Sequence, residues 1–146
     1  METIKIYLDN CSYNRPFDDQ AQMKIRLETE AKLYIQAGVR IGRYTLVWSY
    51  MLDFENDGNP YEEKQKSISP WKNIANEYCP STNEILSAGS IYMGHGIRAK
   101  DALHIACAVK SNCDYFITTD KKLLNKNIDG IRIINPIDFI RETESL

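Results

Sequence analysis

Ala99-Lys-Asp-Ala-Leu-His-Ile-Ala-Cys-Ala-Val109, followed by Tyr115-Phe-Ile-Thr-Thr-Asp120, is the stretch on which the fold reading turns. In its first segment a carboxylate, Asp101, opens a nearly all-apolar run of helical character. In its second, Asp120 closes a short β-branched and aromatic run that reads as a buried strand. Near the N-terminus Asp9 closes an equivalent run, Ile4-Lys-Ile-Tyr-Leu8. Two strand ends and one helix start, each carrying an aspartate, can meet at one point of an α/β sheet. Clustered carboxylates repel one another and resist desolvation, so they coordinate a cation or share protons. The pattern points to a metal site and an enzyme.

Reading outward, the spacing predicts strands at 4–8, 44–48, 115–119 and 131–134. Residues 10–20, with Arg15-Pro16 and Asp18-Asp19, read as loop and turn. Met23, Leu27, Ala31, Tyr34 and Ile35 recur at helical spacing, with Gly38 as the expected terminator. Ser49 begins a further helix that Asp57-Gly-Asn-Pro60 ends. Residues 61–78 read as helix interrupted at Ser69-Pro70. Ser81-x-x-Glu84 is a capping-box signature for a helix to about Met93. Helices at 98–111 and near 121–125, then a turn or helix at 136–141, complete the pass. Strands separated by helices imply one α/β domain, 1–146, built as a helix-flanked, mainly parallel sheet. Ligands in such sheets bind beyond the carboxyl ends of the strands, where Asp9 and Asp120 fall.

With 43% hydrophobic and 26% charged residues, the 146-residue chain has the composition of an ordinary globular domain. Its formal net charge of −2 excludes a global basic field, so any polyanion must be gripped locally. The start lacks a signal-peptide pattern, and the apolar run near 102–109 is too short to cross a membrane, so a cytoplasmic location is expected. The four cysteines, Cys11, Cys79, Cys107 and Cys113, show no C-x-x-C pair and read as free thiols. His104, on the apolar helix, reads as a hydrogen-bonded packing histidine, and His95, between glycines, as a loop residue.

Carboxylates with open coordination positions suit Mg²⁺ or Mn²⁺, which polarise a phosphoryl oxygen and acidify water. Phosphodiester hydrolysis is the reaction these residue types suggest. Taken singly, each aspartate reads as readily as a helix cap or turn residue. The three in topologically matching places carry the argument. A haloacid-dehalogenase phosphatase also starts with a strand and an aspartate. It needs a second acid two residues on, where this chain has Cys11.

At these residues the resemblance becomes specific. Asp9 after the first strand, Ala-x-Asp-Ala-x-x-Ile-Ala-x-Ala at 99–108 and Phe-x-Thr-x-Asp at 116–120 resemble the PIN-domain family, as does the closing Ile-Arg-Ile-Ile-Asn-Pro-Ile-Asp-Phe at 131–139. The resemblance implies a three-layer α/β/α fold and a Mg²⁺- or Mn²⁺-dependent ribonuclease, frequently the VapC toxin of a toxin–antitoxin pair. It implies Asp9, Asp101 and Asp120 as catalytic, metal-holding carboxylates and Thr118 as a supporting donor. RNA as substrate, an antitoxin protein and a homodimer are the partners it implies.

Family members typically carry a glutamate where the second strand enters its helix. This chain has Val47-Trp48-Ser49-Tyr50 there, and the next acids are Asp53 and Glu55. Asp53 shares the face of Ser49 but sits about 6 Å further along a regular helix. Glu55 lies on another face unless the helix is distorted. Ser12 is a candidate to orient Asp9 or a water, and Arg15 either clamps a phosphate or pairs with an acid. Lys100, Lys121 and Lys122 flank the proposed aspartates and are candidate phosphate contacts. The leading reading is a divalent-metal endoribonuclease. Its rivals are a lapsed PIN-like module binding RNA or protein, and a hydrolase of small phosphorylated metabolites.

Overall fold

The computed structural model describes residues 3–144. Strands β1 (Ile4–Leu8), β2 (Tyr44–Ser49), β3 (Glu77–Cys79), β4 (Tyr115–Ile117) and β5 (Arg132–Ile134) form one sheet in the order β3-β2-β1-β4-β5. Every pairing between neighbouring strands is parallel. Both faces are covered, which is why the central strands read as near-continuous apolar runs rather than alternating ones. The chain runs from β1 outward through β2 to β3, then returns to the other side of β1 for β4 and β5. The β1–β4 junction is therefore the switch point of the sheet, where neighbouring connections diverge and leave a crevice.

The helices are α1 (Asn10–Asn14), α2 (Met23–Arg40), α3 (Tyr50–Asp57), α4 (Glu62–Ile68), α5 (Pro70–Ile74), α6 (Asn83–Met93), α7 (Ala99–Lys110), α8 (Lys121–Leu124) and α9 (Pro136–Thr143). On one face Phe139 of α9 meets Tyr44 and Tyr115 edge-on, with ring centroids 5.2 and 5.0 Å apart. On the other, Tyr7 stacks on Phe116 at 5.3 Å and turns its hydroxyl toward His104 of α7. No helix among the described residues is long and apolar enough to cross a membrane.

Several local expectations are corrected. Residues 10–14 form a helix rather than a loop because Asp9 caps it, accepting from the Asn10 amide at 2.8 Å. A 3-10 turn, Arg15–Phe17, follows. Thr82, not Ser81, caps α6, accepting from the Ile85 amide. Glu77 and Tyr78, expected in a helix, form with Cys79 the edge strand β3, paired in register to Val47–Ser49. Helix α2 runs past Gly38 to Arg40, and the reversal falls at Gly42, whose φ of +80° suits glycine.

Gly38 serves packing instead. A Cβ there would lie 2.6 Å from Tyr44 Cε2, and that ring is buried and held by Phe139. Gly38→Ala is expected to cost about 1–3 kcal/mol through forced repacking, read as a lower urea midpoint with unchanged slope.

Candidate active site

Asp9 directly follows β1 and Asp120 follows β4, so both aspartates stand at the switch point. The two segments are stitched together: the Asp9 amide donates to the Ile117 carbonyl at 2.9 Å. Thr118 is fully buried there, its hydroxyl donating to Asp9 Oδ2 at 2.9 Å and accepting from the Asp120 amide at 3.1 Å. One side chain thus fixes both strand-end acids. Asp120 Oδ1 in turn accepts from the Lys122 amide at 2.9 Å, capping α8.

Asp101 arrives from the first turn of α7, where the helix dipole favours an anion. Yet its carboxyl is held above the ordinary aspartate range. Partial burial is the largest cause, and the charges of Asp9, Asp120 and Glu55 add to it against the opposing pull of His104. Among the described residues no side chain or amide donates to Asp101, and it forms no ion pair. It is an acid surrounded by acids, with no cation of the protein's own close enough to pair with it.

Glu55 of α3 completes that surrounding. Fully buried His104 donates from Nε2 to Glu55 Oε1, and its Nδ1 shares a hydrogen bond with the Tyr7 hydroxyl. Tyr7 continues the chain to Ser49 Oγ at 2.6 Å, which also accepts from the Leu52 amide and caps α3. Burial resists a charge on His104, but the bond to Glu55 and the fields of Asp9, Glu55 and Asp101 outweigh it and raise its pKa. Burial likewise opposes ionised Glu55. His104 and then Lys100 outweigh that and hold it below the usual glutamate range.

The other candidates divide. Asp53 turns away: its carboxylate accepts from Trp48 Nε1 at 2.8 Å, the Tyr78 hydroxyl at 2.8 Å and Lys72 Nζ at 3.1 Å. It pins α3 to α5 and β3. Ser12 is fully buried and bonds the Ile117 carbonyl, not the Asp9 carboxylate. Arg15 is committed to acids, donating to buried Glu28 through Nε and Nη2 and to Asp18 through Nη1. Of its two readings from the sequence, the structure shows the pairing with acids. Lys100, Lys121 and Lys122 are exposed beside the site. Cys11, beside Asp9 and Thr118, is an inert thiol, pushed up to about 12 by burial and then by the Asp9 charge.

His104, which reads from the sequence as a packing histidine, instead links Tyr7 and Glu55 in a buried chain that no local pattern announces. The signal for His104 itself is its spacing, three residues after Asp101 on one helix, which puts both on neighbouring positions of one face.

Among the described residues no three His, Cys, Asp or Glu side chains are gathered tightly enough to cage an ion by themselves. The fit to a divalent cation is one of charge. Asp101, unpaired and raised by burial and then by three neighbouring acids, is the kind of oxygen donor that a hard cation relieves.

The architecture that places these groups, a five-stranded parallel sheet of order 3-2-1-4-5 flanked by helices, is PIN-like. Solved structures sharing it include a chain of VapBC2 from Rickettsia felis bound to a DNA fragment from its promoter. That match has a TM-score of 0.57 at 12% identity, covering 90% of this chain and 98% of that one. A chain of DNA-bound VapBC from Salmonella typhimurium matches with a TM-score of 0.53 at 13% identity, covering 92% and 99%. No family model and no curated protein matches the chain.

Proposed function

We propose that this protein is a divalent-cation-dependent endoribonuclease, with Asp9, Asp101, Asp120 and Glu55 as the acids that hold Mg²⁺ or Mn²⁺. The observation that carries the reading is the unbalanced charge at the switch point, where Asp9, Asp120 and Glu55 all act on unpaired Asp101. A bound divalent cation would polarise a phosphoryl oxygen and make a nearby water more acidic.

The residues of the chain divide the remaining work. Thr118 holds Asp9 and the Asp120 backbone in a fixed relation, so the two strand-end acids move little when charge arrives. His104 holds one oxygen of Glu55 and so fixes the orientation of its carboxylate. Exposed Lys100, Lys121 and Lys122 supply positive charge for RNA phosphates on a chain whose net charge is −2. The named structural neighbours are chains of VapBC complexes, which supports a toxin checked by an antitoxin partner; a homodimer is what the family resemblance implies.

The test is cleavage of end-labelled RNAs by purified protein with Mg²⁺, Mn²⁺ or EDTA. Cleavage that requires the cation supports the nuclease. Saturable RNA binding without cleavage in either metal would move the reading to a lapsed, RNA-binding module. Glu55 and Asp53 are separated in the same assay. Glu55→Gln is expected to lower the rate by about 10²-fold, the scale of losing one electrostatic element of a site. Asp53→Asn, whose partners all lie away from Asp101, is expected to leave the rate within about threefold of wild type once its modest stability loss is allowed for.

A further inference from the structure

Away from the strand ends, α1, the 3-10 turn, α2, α4 and α5 line a half-open cavity of about 410 Å³. Its polar lining is unusual. Lys32 is only 5% exposed, and among the described residues its ammonium has neither an acid nor a hydrogen-bond acceptor. It stands 5.7 Å from the centroid of the Tyr13 ring. The Tyr13 hydroxyl and Gln36 Nε2 are both buried without any hydrogen-bond partner. Arg40 lies 4.8 Å over the Trp71 ring and pairs with no carboxylate among the described residues.

Buried lysines are rare unless paired, and an unmet buried donor carries a desolvation penalty. Burial alone pushes Lys32 down to about 8, with no neighbouring acid to restore it. These groups share one property: ammonium, amide N–H, guanidinium and phenol all donate, and only the phenol can also accept. Phe17, Ile68 and Trp71 supply an apolar and aromatic wall beside them. The volume falls within the range of small-molecule sites.

We propose that this cavity binds a small organic anion, a carboxylate or phosphate monoester on an aromatic or short apolar body. Its charged head meets Lys32, with the buried Gln36 amide and Tyr13 hydroxyl behind it, and its body lies against Trp71 and Phe17. The site shares no acid with the switch point and is independent of the nuclease reading.

Titration calorimetry and thermal melting with benzoate, phenyl phosphate and neutral benzyl alcohol test this on wild type, Lys32→Met and Gln36→Leu. Lys32→Met removes an unpaired, desolvated charge while keeping the stem, so the unliganded variant is expected to melt no lower than wild type. At least one anion is expected to bind wild type saturably at millimolar concentration and raise its melting point, while benzyl alcohol does not. Lys32→Met should weaken that binding by about tenfold or more, the scale of one lost charge-assisted hydrogen bond. Gln36→Leu should weaken it less. No saturable binding of either anion, equal binding to Lys32→Met, or equal binding of the neutral alcohol overturns the proposal. The first outcome would mean that ordered water alone satisfies the cavity donors.

Discussion

Asp101→Asn is expected to remove RNA cleavage, by about 10²–10³-fold or more, while making the protein more stable at neutral pH. The two effects share one cause. Asp101 is pushed above the aspartate range by burial and by Asp9, Asp120 and Glu55. For an acid whose folded pKa is raised, the penalty of ionisation is present above that pKa and fades as pH falls through it. Asparagine keeps the shape and carries no charge, so the penalty disappears at neutral pH and the melting point rises. The stability gain is expected to shrink toward acid pH, where wild-type Asp101 is itself neutral. Melting curves of the two proteins between pH 4 and 8, with chelator present, check the sign. A carboxylate that merely capped α7 would behave in the opposite way, because its loss destabilises the helix. Loss of function with gain of stability is the mark of a site held under strain for binding.

The second large effect is on folding. His104→Ala is expected to destabilise the metal-free protein by about 3–5 kcal/mol, because it leaves Glu55 and Tyr7 without their buried partner. For a chain of this size that corresponds to a fall in melting point of about 10 °C. The loss should depend on pH with a definite sign. The pKa of His104 is raised, so its contribution is full below the unfolded imidazole pKa and is lost as pH rises through the folded one. That of Glu55 is lowered, so its contribution is present above the unfolded carboxyl pKa and is lost as pH falls through the folded one. The difference between wild type and variant should therefore be greatest in weakly acidic to neutral solution and decline on both sides. Urea unfolding at a series of pH values with chelator present measures it. A difference that kept growing into alkaline solution would contradict the ion-pair account.

What was legible in the chain followed from the range of the interactions involved. The apolar runs ending at Leu8 and Ile117 announce buried parallel strands because their side chains meet helices on both faces, and that environment admits few residue types. Asp9 and Asp120 could be placed with them, since a residue after a strand end has little freedom of position. The fourth acid could not be chosen from local pattern. Asp53 and Glu55 are two residues apart on one helix, and the choice rests on partners remote in sequence. Tyr78 and Lys72 draw Asp53 toward the sheet edge, while His104 draws Glu55 to Asp101.

The same reasoning explains the smaller misreadings. Strand β3 is three residues long, too short to show a period, and exists through its pairing with Val47–Ser49. Helix α1 exists because Asp9 caps it, so one side chain both opens a helix and faces the acid cluster. Arg15 was evenly balanced between phosphate and acid from the sequence. Glu28, buried thirteen residues further on, decides it through a bond of 2.8 Å.

The central claim is that four acids from separate elements act together on one divalent cation. Its most direct test is Mn²⁺ binding, followed by electron paramagnetic resonance, to wild type and Asp101→Asn without RNA. Saturable binding by wild type, weakened about tenfold or more in the variant, is the predicted result, since losing even an outer-shell partner of a metal costs about that much. Equal binding by the two proteins, or none by folded wild type, would contradict it.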